Sequence, residues 1–405
     1  SKNIKNIRNK NCVFVKNTLA SLEDLAKYSR SRSKAKLIAI TGSVGKTTTK
    51  EILRSALSKQ FIVYANEGNL NNQIGVPLSL ARMPARTDFA ILEFGMNNPG
   101  EISELTRLAR PNYALITSVE AAHLENFKTI EDIADAKSEI FEGVESKGIV
   151  ILNRDSNFYN KLSKKAIGYN LKVISFGSNL KANVKLTSYV LHEKCSCVKS
   201  DINGQKIVLK IGVPGMHVIS NCLSVLAMVQ AVGGDISLAS LSFSKMKLPT
   251  GRGNRVILYT SDGEVELIDE SYNASPASMK AALHLLGQSK LKDNGRRIAV
   301  LGDMLELGGE SISFHEELSD HIENACVDMV FCSGELMKSL YKVLPEGIYK
   351  EWKGQSCELT PSIKSKLRSG DILMIKGSFG SKMSLVVNDL KENYKKKIDL
   401  DRYIN

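Results

Sequence analysis

Cysteine is scarce in this chain and follows no pattern. Seven of 405 residues are cysteine, at positions 12, 195, 197, 222, 326, 332 and 357, an odd number with no C-x-x-C spacing. Neither a disulfide framework nor a zinc site is therefore indicated, and buried, reduced thiols in a cytoplasm are expected. No apolar run approaches the roughly 18 residues that a membrane-crossing helix needs. Ser1-Lys2-Asn3-Ile4-Lys5 leads into no signal region, and the first residue is not methionine, as in a processed, cloned or truncated start. Nine prolines are too few for a long disordered linker, and no internal repeat is present. Charge clustering is also missing. The net charge is +12, yet the lysines are scattered and no basic stripe is interleaved with aromatics. Nucleic-acid binding is accordingly not expected. Lysine, asparagine and isoleucine are all abundant, so a compositional bias accounts for the excess, and a substrate carrying several phosphates suits a basic protein equally well. The basic tail from Lys391 to Lys397 reads as the exposed face or end of a last helix.

What remains, 43% hydrophobic and 24% charged residues, is the composition of a globular protein too long for one core. Residues 1–36 are polar and basic, with an amphipathic helix over Thr18 to Tyr28 and then a linker, Ser29-Arg30-Ser31-Arg32-Ser33. From Lys36 to Thr250 short apolar strands alternate with helical patterns, which predicts a parallel sheet covered on both faces. Strands are expected at Leu37–Thr41, Phe61–Ala65, Phe89–Phe94, Ala114–Val119, Gly148–Leu152 and Val173–Phe176. Residues 183–213 alternate around Asn203-Gly204, a hairpin signal that predicts a small antiparallel sheet. A helical pattern returns over Gly215 to Gly234, and a boundary falls at Pro249-Thr250-Gly251-Arg252-Gly253. A second α/β unit follows. It opens on a hairpin around Asp262-Gly263 and carries strands at Arg297–Leu301, Met329–Cys332 and Asp371–Ile375.

The most informative stretch is Thr41-Gly42-Ser43-Val44-Gly45-Lys46-Thr47-Thr48-Thr49, between an apolar strand and a helix start. Strand, glycine turn and helix in that order make a phosphate cradle. Backbone N–H groups point at the anion, Lys46 reaches the terminal phosphates, and the Thr47 hydroxyl can hold Mg²⁺. Gly42 and Gly45 let the backbone approach without a Cβ. The match to the general rule is incomplete, because Ile40 stands where the first glycine belongs. ATP chemistry is the working reading.

In parallel sheets, ligands collect at the carboxyl ends of strands. Glu93 ends one strand and is a natural Mg²⁺ ligand there. His123 follows the next strand and is either a bystander or a metal or phosphate contact. Lys137, among Glu131, Asp132, Asp135 and Glu139 on a helix over Ile130 to Gly143, reads by pattern as part of a solvated face with i,i+4 pairs. The turn Gly68-Asn69-Leu70-Asn71-Asn72 reads as a loop, or as a binding element that supplies amides to a polar substrate. Three strand ends of the last unit, at Asp269 to Pro276, Gly302-Asp303-Met304 and Lys376-Gly377-Ser378, repeat one polar design and suggest a face that meets a ligand.

Taken in order, these segments resemble the Mur ligase family. The match runs through the loop at 41–49, Gly68 to Asn72, Glu93 to Ile102, Ala121-Ala122-His123-Leu124-Glu125 and Ala136-Lys137-Ser138-Glu139-Ile140-Phe141. It continues with Gly251-Arg252, Asp269 to Pro276, Leu301 to Gly308 and Lys376-Gly377-Ser378, and so covers residues 36 to about 390. The resemblance implies an α/β protein: a remnant of an N-terminal UDP-substrate domain and linker over 1–35, a central P-loop ATPase-like domain with a parallel sheet over 36–250, and a Rossmann-like C-terminal domain over 251–405.

The activity it implies is an ATP-dependent amide ligase of peptidoglycan precursor synthesis. Such an enzyme joins D-alanyl-D-alanine to UDP-N-acetylmuramoyl-tripeptide through an acyl phosphate, as a cytoplasmic monomer. It implies nucleotide contacts from Gly42, Ser43, Gly45, Lys46, Thr47, Thr48, Asn221, Tyr272, Asn273 and Asp303. Mg²⁺ contacts fall to Thr47, Glu93, His123 and Lys137, with Lys137 a candidate for carbamylation, and Lys46, His123 and Lys137 are the catalytic set. Substrate contacts fall to Asn69, Asn71, Asn72, Arg252, Lys376 and Ser378. Two positions depart from the family pattern: Glu270 replaces an aspartate, and Val218 replaces the asparagine that follows His217. Only the last helix of the UDP-binding domain is expected here. Two other readings stand beside this one, a folate polyglutamate ligase with the same loop and a truncated nucleotide-binding module without ligase activity.

Overall fold

The structure, a computed structural model, describes residues 13–121, 124–292 and 294–395, and these form two α/β units built on separate sheets. The first sheet uses β1 (Lys36–Thr41), β2 (Val63–Ala65), β3 (Phe89–Glu93), β4 (Tyr113–Ile116), β5 (Ile149–Asn153) and β6 (Lys172–Gly177). It is completed by β7 (Val184–Leu191), β8 (Ser196–Ile202) and β9 (Gln205–Ile211). The strand order is β2-β3-β1-β4-β5-β6-β7-β8-β9, parallel from β2 through β7 and antiparallel beyond. Both faces of β1 are buried, Leu37 and Ala39 in one apolar cluster and Ile38 and Ile40 in the other. That is why the strand reads as a continuous apolar run. The chain leaves β1 towards β2 and β3 on one side, then returns to β4 on the other. The order therefore reverses at β1, where a doubly wound sheet opens its crevice.

The hairpin at Asn203-Gly204 is present, with both residues at positive φ (49° and 95°), the geometry a two-residue turn demands. Its strands do not form a separate sheet as expected. Pairing of Phe176 with Val184 and of Gly177 with Lys185 joins them to β6, so the parallel sheet continues into the antiparallel one. The expected linker at Ser29–Ser33 is also corrected. The helix runs over Thr18–Arg32, and Arg30 is buried with Nε donating to Ala109 O at 2.8 Å and Nη2 to Arg110 O at 3.0 Å. A planar guanidinium fork thus satisfies carbonyls at the C-terminus of the helix Glu101–Ala109.

The second sheet uses β10 (Asn254–Tyr259), β11 (Glu264–Glu270), β12 (Arg297–Gly302), β13 (Met329–Ser333), β14 (Tyr349–Lys353) and β15 (Ile372–Lys376). Their order is β10-β11-β15-β12-β13-β14, with only β10 antiparallel to its neighbour. β11, β15 and β12 are adjacent, so the three polar strand ends noted in the sequence emerge side by side. β14, Tyr-Lys-Glu-Trp-Lys, was not expected. It is a half-buried edge strand with alternating charges and carries no apolar run.

Among the described residues no helix is long and apolar enough to cross a membrane. The described cysteines are all free; only Cys222 and Cys332 are buried, whereas Cys326 and Cys357 are exposed, which corrects the uniform expectation of burial.

Candidate active site

The loop after β1 is shaped by what a Cβ would strike. An added Cβ at Gly42 would lie 1.9 Å from Thr117 Oγ1, and one at Gly45, where φ is +86°, 2.8 Å from Asn221 Oδ1. Both positions require glycine. The loop is pinned to the end of β4: Ser43 N donates to Ser118 O at 3.0 Å, Ser43 Oγ to Glu120 O at 3.0 Å, and Thr117 Oγ1 to Val44 O at 2.6 Å. Gly45 then starts the helix Lys46–Leu57 without any side-chain cap, leaving the first-turn N–H groups for an anion. Lys46 Nζ folds back to Gly42 O at 2.6 Å. Burial lowers its pKa, opposed in part by Glu93 and reinforced by Arg252.

Glu93 is 2% exposed at the end of β3 and is held on both carboxylate oxygens. Thr47 Oγ1 donates to Oε2 at 2.8 Å and Asn71 Nδ2 to Oε1 at 2.8 Å. Thr47 Oγ1 also accepts from Arg252 Nη2 at 3.1 Å, a contact from the other α/β unit. The Arg252 guanidinium lies 4.2 Å from the centre of the Tyr272 ring, and Tyr272 packs at 6.1 Å, tilted, against Phe379. Lys376, buried at the end of β15, donates to Asn273 O at 3.0 Å and lies 3.4 Å from Glu270 Oε2. Burial lowers its pKa, against the opposing pull of Glu270. Ser378 Oγ accepts from Leu305 N at 3.0 Å and donates to Ala274 O at 3.4 Å, tying two strand-end turns together.

These groups line one cleft of 740 Å³ between the two units. Ser43, Gly45, Lys46, Thr47 and Thr48 form its floor, with Glu93, Asn71 and Asn72 on one side and Asn221 beside the loop. Arg252, Tyr272, Asn273, Lys376 and Ser378 face them from the second unit. Four expected residues stand apart. Gly42 lies beneath the loop, and Asn69 contributes its carbonyl to Asn71 N. Asp303 turns its carboxylate away from the cleft, where Oδ1 accepts from Met337 N at 2.8 Å and caps the helix Met337–Val343. Lys137 lies behind Lys46 and is 1% exposed, not on a solvated face. Its Nζ has no hydrogen-bond or ion-pair partner among the described residues, and burial together with the Lys46 cation holds its pKa well below the ordinary value. His123 lies outside the described residues. Among those described, no group of three or more His, Cys, Asp and Glu side chains is placed to hold a metal.

This geometry has relatives. The Mur ligase middle domain matches residues 40–229, and the Mur ligase, glutamate ligase domain matches residues 254–379. A UDP-N-acetylmuramoyl-tripeptide--D-alanyl-D-alanine ligase from Rickettsia prowazekii (strain Madrid E) is 39% identical over 379 residues, 93% of this chain and 82% of the relative. The ligase of that name from Bacillus subtilis (strain 168) is 32% identical over 94% of this chain and 81% of its own length. The chain belongs to the Mur ligase family. A crystal structure of MurF from Acinetobacter baumannii superimposes with a TM-score of 0.84 at 27% identity, over 94% of this chain and 82% of that one. The MurF ligase from Thermotoga maritima, solved in complex with ADP, shares the fold with a TM-score of 0.81 at 24% identity, over 96% and 87% of the two chains.

For a Mur ligase, several residues of the site were missed in the sequence. Thr117, Ser118 and Glu120 pin the phosphate loop, and their place after β4, next to β1, was the available signal. Glu270 was noted only as a departure, although it pairs with Lys376. His217 lines the cleft as well as a smaller cavity of 280 Å³ beside the helix Pro276–Gln288. Burial lowers its pKa, which keeps the ring neutral at pH 7.

Proposed function

We propose that this Mur ligase joins D-alanyl-D-alanine to UDP-N-acetylmuramoyl-tripeptide, driven by ATP, in cytoplasmic peptidoglycan precursor synthesis. The observation that carries the reading is the single cleft in which the phosphate loop at 42–48 faces Arg252 and Lys376 across the two units. The activity is the one that names the Rickettsia and Bacillus relatives.

In the proposed first step a carboxylate oxygen of the tripeptide attacks the γ-phosphorus of ATP. The bond from that phosphorus to the ADP oxygen breaks, leaving an acyl phosphate. Two anions must meet, so compensating charge is the main demand. Lys46, the loop N–H groups and Arg252 supply it. In the second step the amine of D-alanyl-D-alanine attacks the acyl carbon, a C–N bond forms, the nitrogen loses its proton and phosphate departs. Closing the cleft keeps water from the acyl phosphate. Asn221, Tyr272 and Asn273 are assigned to the nucleotide. Asn71, Asn72, Lys376 and Ser378 are assigned to the tripeptide and the incoming dipeptide, with Asn69 supporting Asn71 from outside the cleft. Asp303 acts through the turn it caps.

Thr47, Glu93 and His123 are assigned to Mg²⁺. Thr47 and Glu93 present hard oxygens 2.8 Å apart, and a Mg²⁺ held otherwise by phosphate and water needs few protein ligands. When bound, the cation neutralises charge on the phosphates. Lys137 is assigned as the carbamylated lysine: burial and the Lys46 cation lower its pKa, which favours the free amine that adds to CO₂. A C–N bond forms, the nitrogen releases its proton to water, and a carbamate anion then sits next to the Lys46 cation. The test is phosphate release from ATP. It should appear only when the tripeptide nucleotide and D-alanyl-D-alanine are both present, and turnover with a folate and glutamate instead would overturn the assignment.

A further inference from the structure

One buried charge in the described structure has no part in the mechanism above. Lys50, one turn beyond Thr47 on the helix Lys46–Leu57, is fully buried. Its Nζ lies 2.5 Å from Asn66 O, 3.3 Å from Gly68 O and 3.5 Å from Glu51 Oε1. An ammonium has three N–H donors, and three acceptors surround this one. Two of them are backbone carbonyls of the turn that leads into Asn69-Leu70-Asn71-Asn72. Asn66, 1% exposed, continues the chain of contacts: its Oδ1 accepts from Glu93 N at 3.0 Å and its Nδ2 donates to Leu70 O at 2.8 Å. Asn71 then closes the circuit on the Glu93 carboxylate at 2.8 Å.

We propose that Lys50 is a positioning residue that sets Glu93 and the 66–72 loop against the phosphate-loop helix. The same helix reaches Glu93 twice. Thr47 holds the carboxylate directly, and Lys50 holds the main chain and the far carboxylate oxygen through Asn66 and Asn71. A buried lysine bonded to two carbonyls is a stiff strut, because releasing either bond leaves a buried polar group unpaired. The inference rests on the proposed function in one respect, that Thr47 and Glu93 face Mg²⁺ and the transferred phosphate.

The test compares the parent with Lys50→Met, which keeps the aliphatic stem and removes the donors, and with Asn66→Leu, which cuts the link at its other end. Three quantities are read: Mg²⁺ half-saturation in turnover, ADP affinity without metal, and hydrogen exchange of amides 66–72 in the substrate-free protein. Both variants should raise the half-saturating Mg²⁺ by about tenfold or more. Both should speed exchange across 66–72 and leave metal-free ADP affinity within about twofold, since the loop amides stay in place. Parental Mg²⁺ response and parental exchange in a variant that has merely lost thermal stability would overturn the proposal, as would a parallel loss of ADP affinity. If Lys50→Met does not fold, Asn66→Leu carries the same three readings. A parent without Mg²⁺-dependent ligation would overturn the proposed function instead, while the exchange arm, which needs no substrate, still decides the role of Lys50.

Discussion

The two units of this Mur ligase meet at one cleft but hold their polar side chains in different ways. Around Glu93, in the first unit, the side chains hold one another: Thr47 and Asn71 grip its two oxygens, each at 2.8 Å. In the second, charged and hydroxyl groups are held mainly by backbone. Lys376 donates to Asn273 O, Ser378 bridges Leu305 N and Ala274 O, and Asp303 takes Met337 N. A mutually gripped set fixes charges where phosphate chemistry needs them. A backbone-held set fixes the shape of turns and leaves the charged ends to meet a ligand. Arg252 reaches across the cleft, with its guanidinium on the Thr47 hydroxyl and over the Tyr272 ring.

The contrast can be broken at four points. Removing the loop cation should hurt most: Lys46→Ala is expected to lower kcat by at least about 10³. The melting temperature should stay near the parent's, because Nζ bonds to the Gly42 carbonyl and to no partner among the described residues of the second unit. Retained turnover would detach Lys46 from the phosphates. Arg252→Lys keeps the charge and loses the planar fork and the stacking, so kcat/KM should drop by about 10² through misplacement of the two units.

Lys137 gives a pH effect. Its folded pKa is lowered from the ordinary 10.5 by burial and by Lys46. Between that lowered value and 10.5 the unfolded chain holds a proton the native chain lacks, so stability rises with pH across the interval. Lys137→Met should flatten that rise in CO₂-free buffer, read from melting temperatures against pH, and should also abolish any stimulation of turnover by bicarbonate. An unchanged slope would place the lysine in solvent. The smallest effect is expected at Asp303. Asp303→Ala should cost about 1 kcal/mol in urea denaturation as a lost helix cap. A rise in KM for ATP beyond about tenfold would instead make it a direct contact.

Legibility in the sequence followed the same divide. The first unit was readable because glycines at 42 and 45, a lysine and a threonine sit at a strand–helix junction, and backbone geometry dictates those residue types. Its parallel strands were readable as apolar runs buried on both faces. The second unit's strand ends were visible as polar endings, yet the sequence did not say that Asp303 turns back to cap a helix while Lys376 stays in the cleft. That choice is made by neighbouring turns packed in space. Lys137 misled for a related reason. Acidic neighbours at helical spacing look like solvent partners, and only burial against Lys46 separates a structural cation from a reactive amine. Arg30 and Lys50 were invisible as anchors because their partners are carbonyls, and every residue carries one.

Coupling of ATP cleavage to ligation is the decisive property of this enzyme. Purified protein should convert ATP to ADP and phosphate in one-to-one ratio with the ligated pentapeptide nucleotide, and show no release when either the tripeptide nucleotide or D-alanyl-D-alanine is left out. Phosphate release that continues without the dipeptide, or ligation that proceeds with a different acceptor and not with D-alanyl-D-alanine, would contradict it.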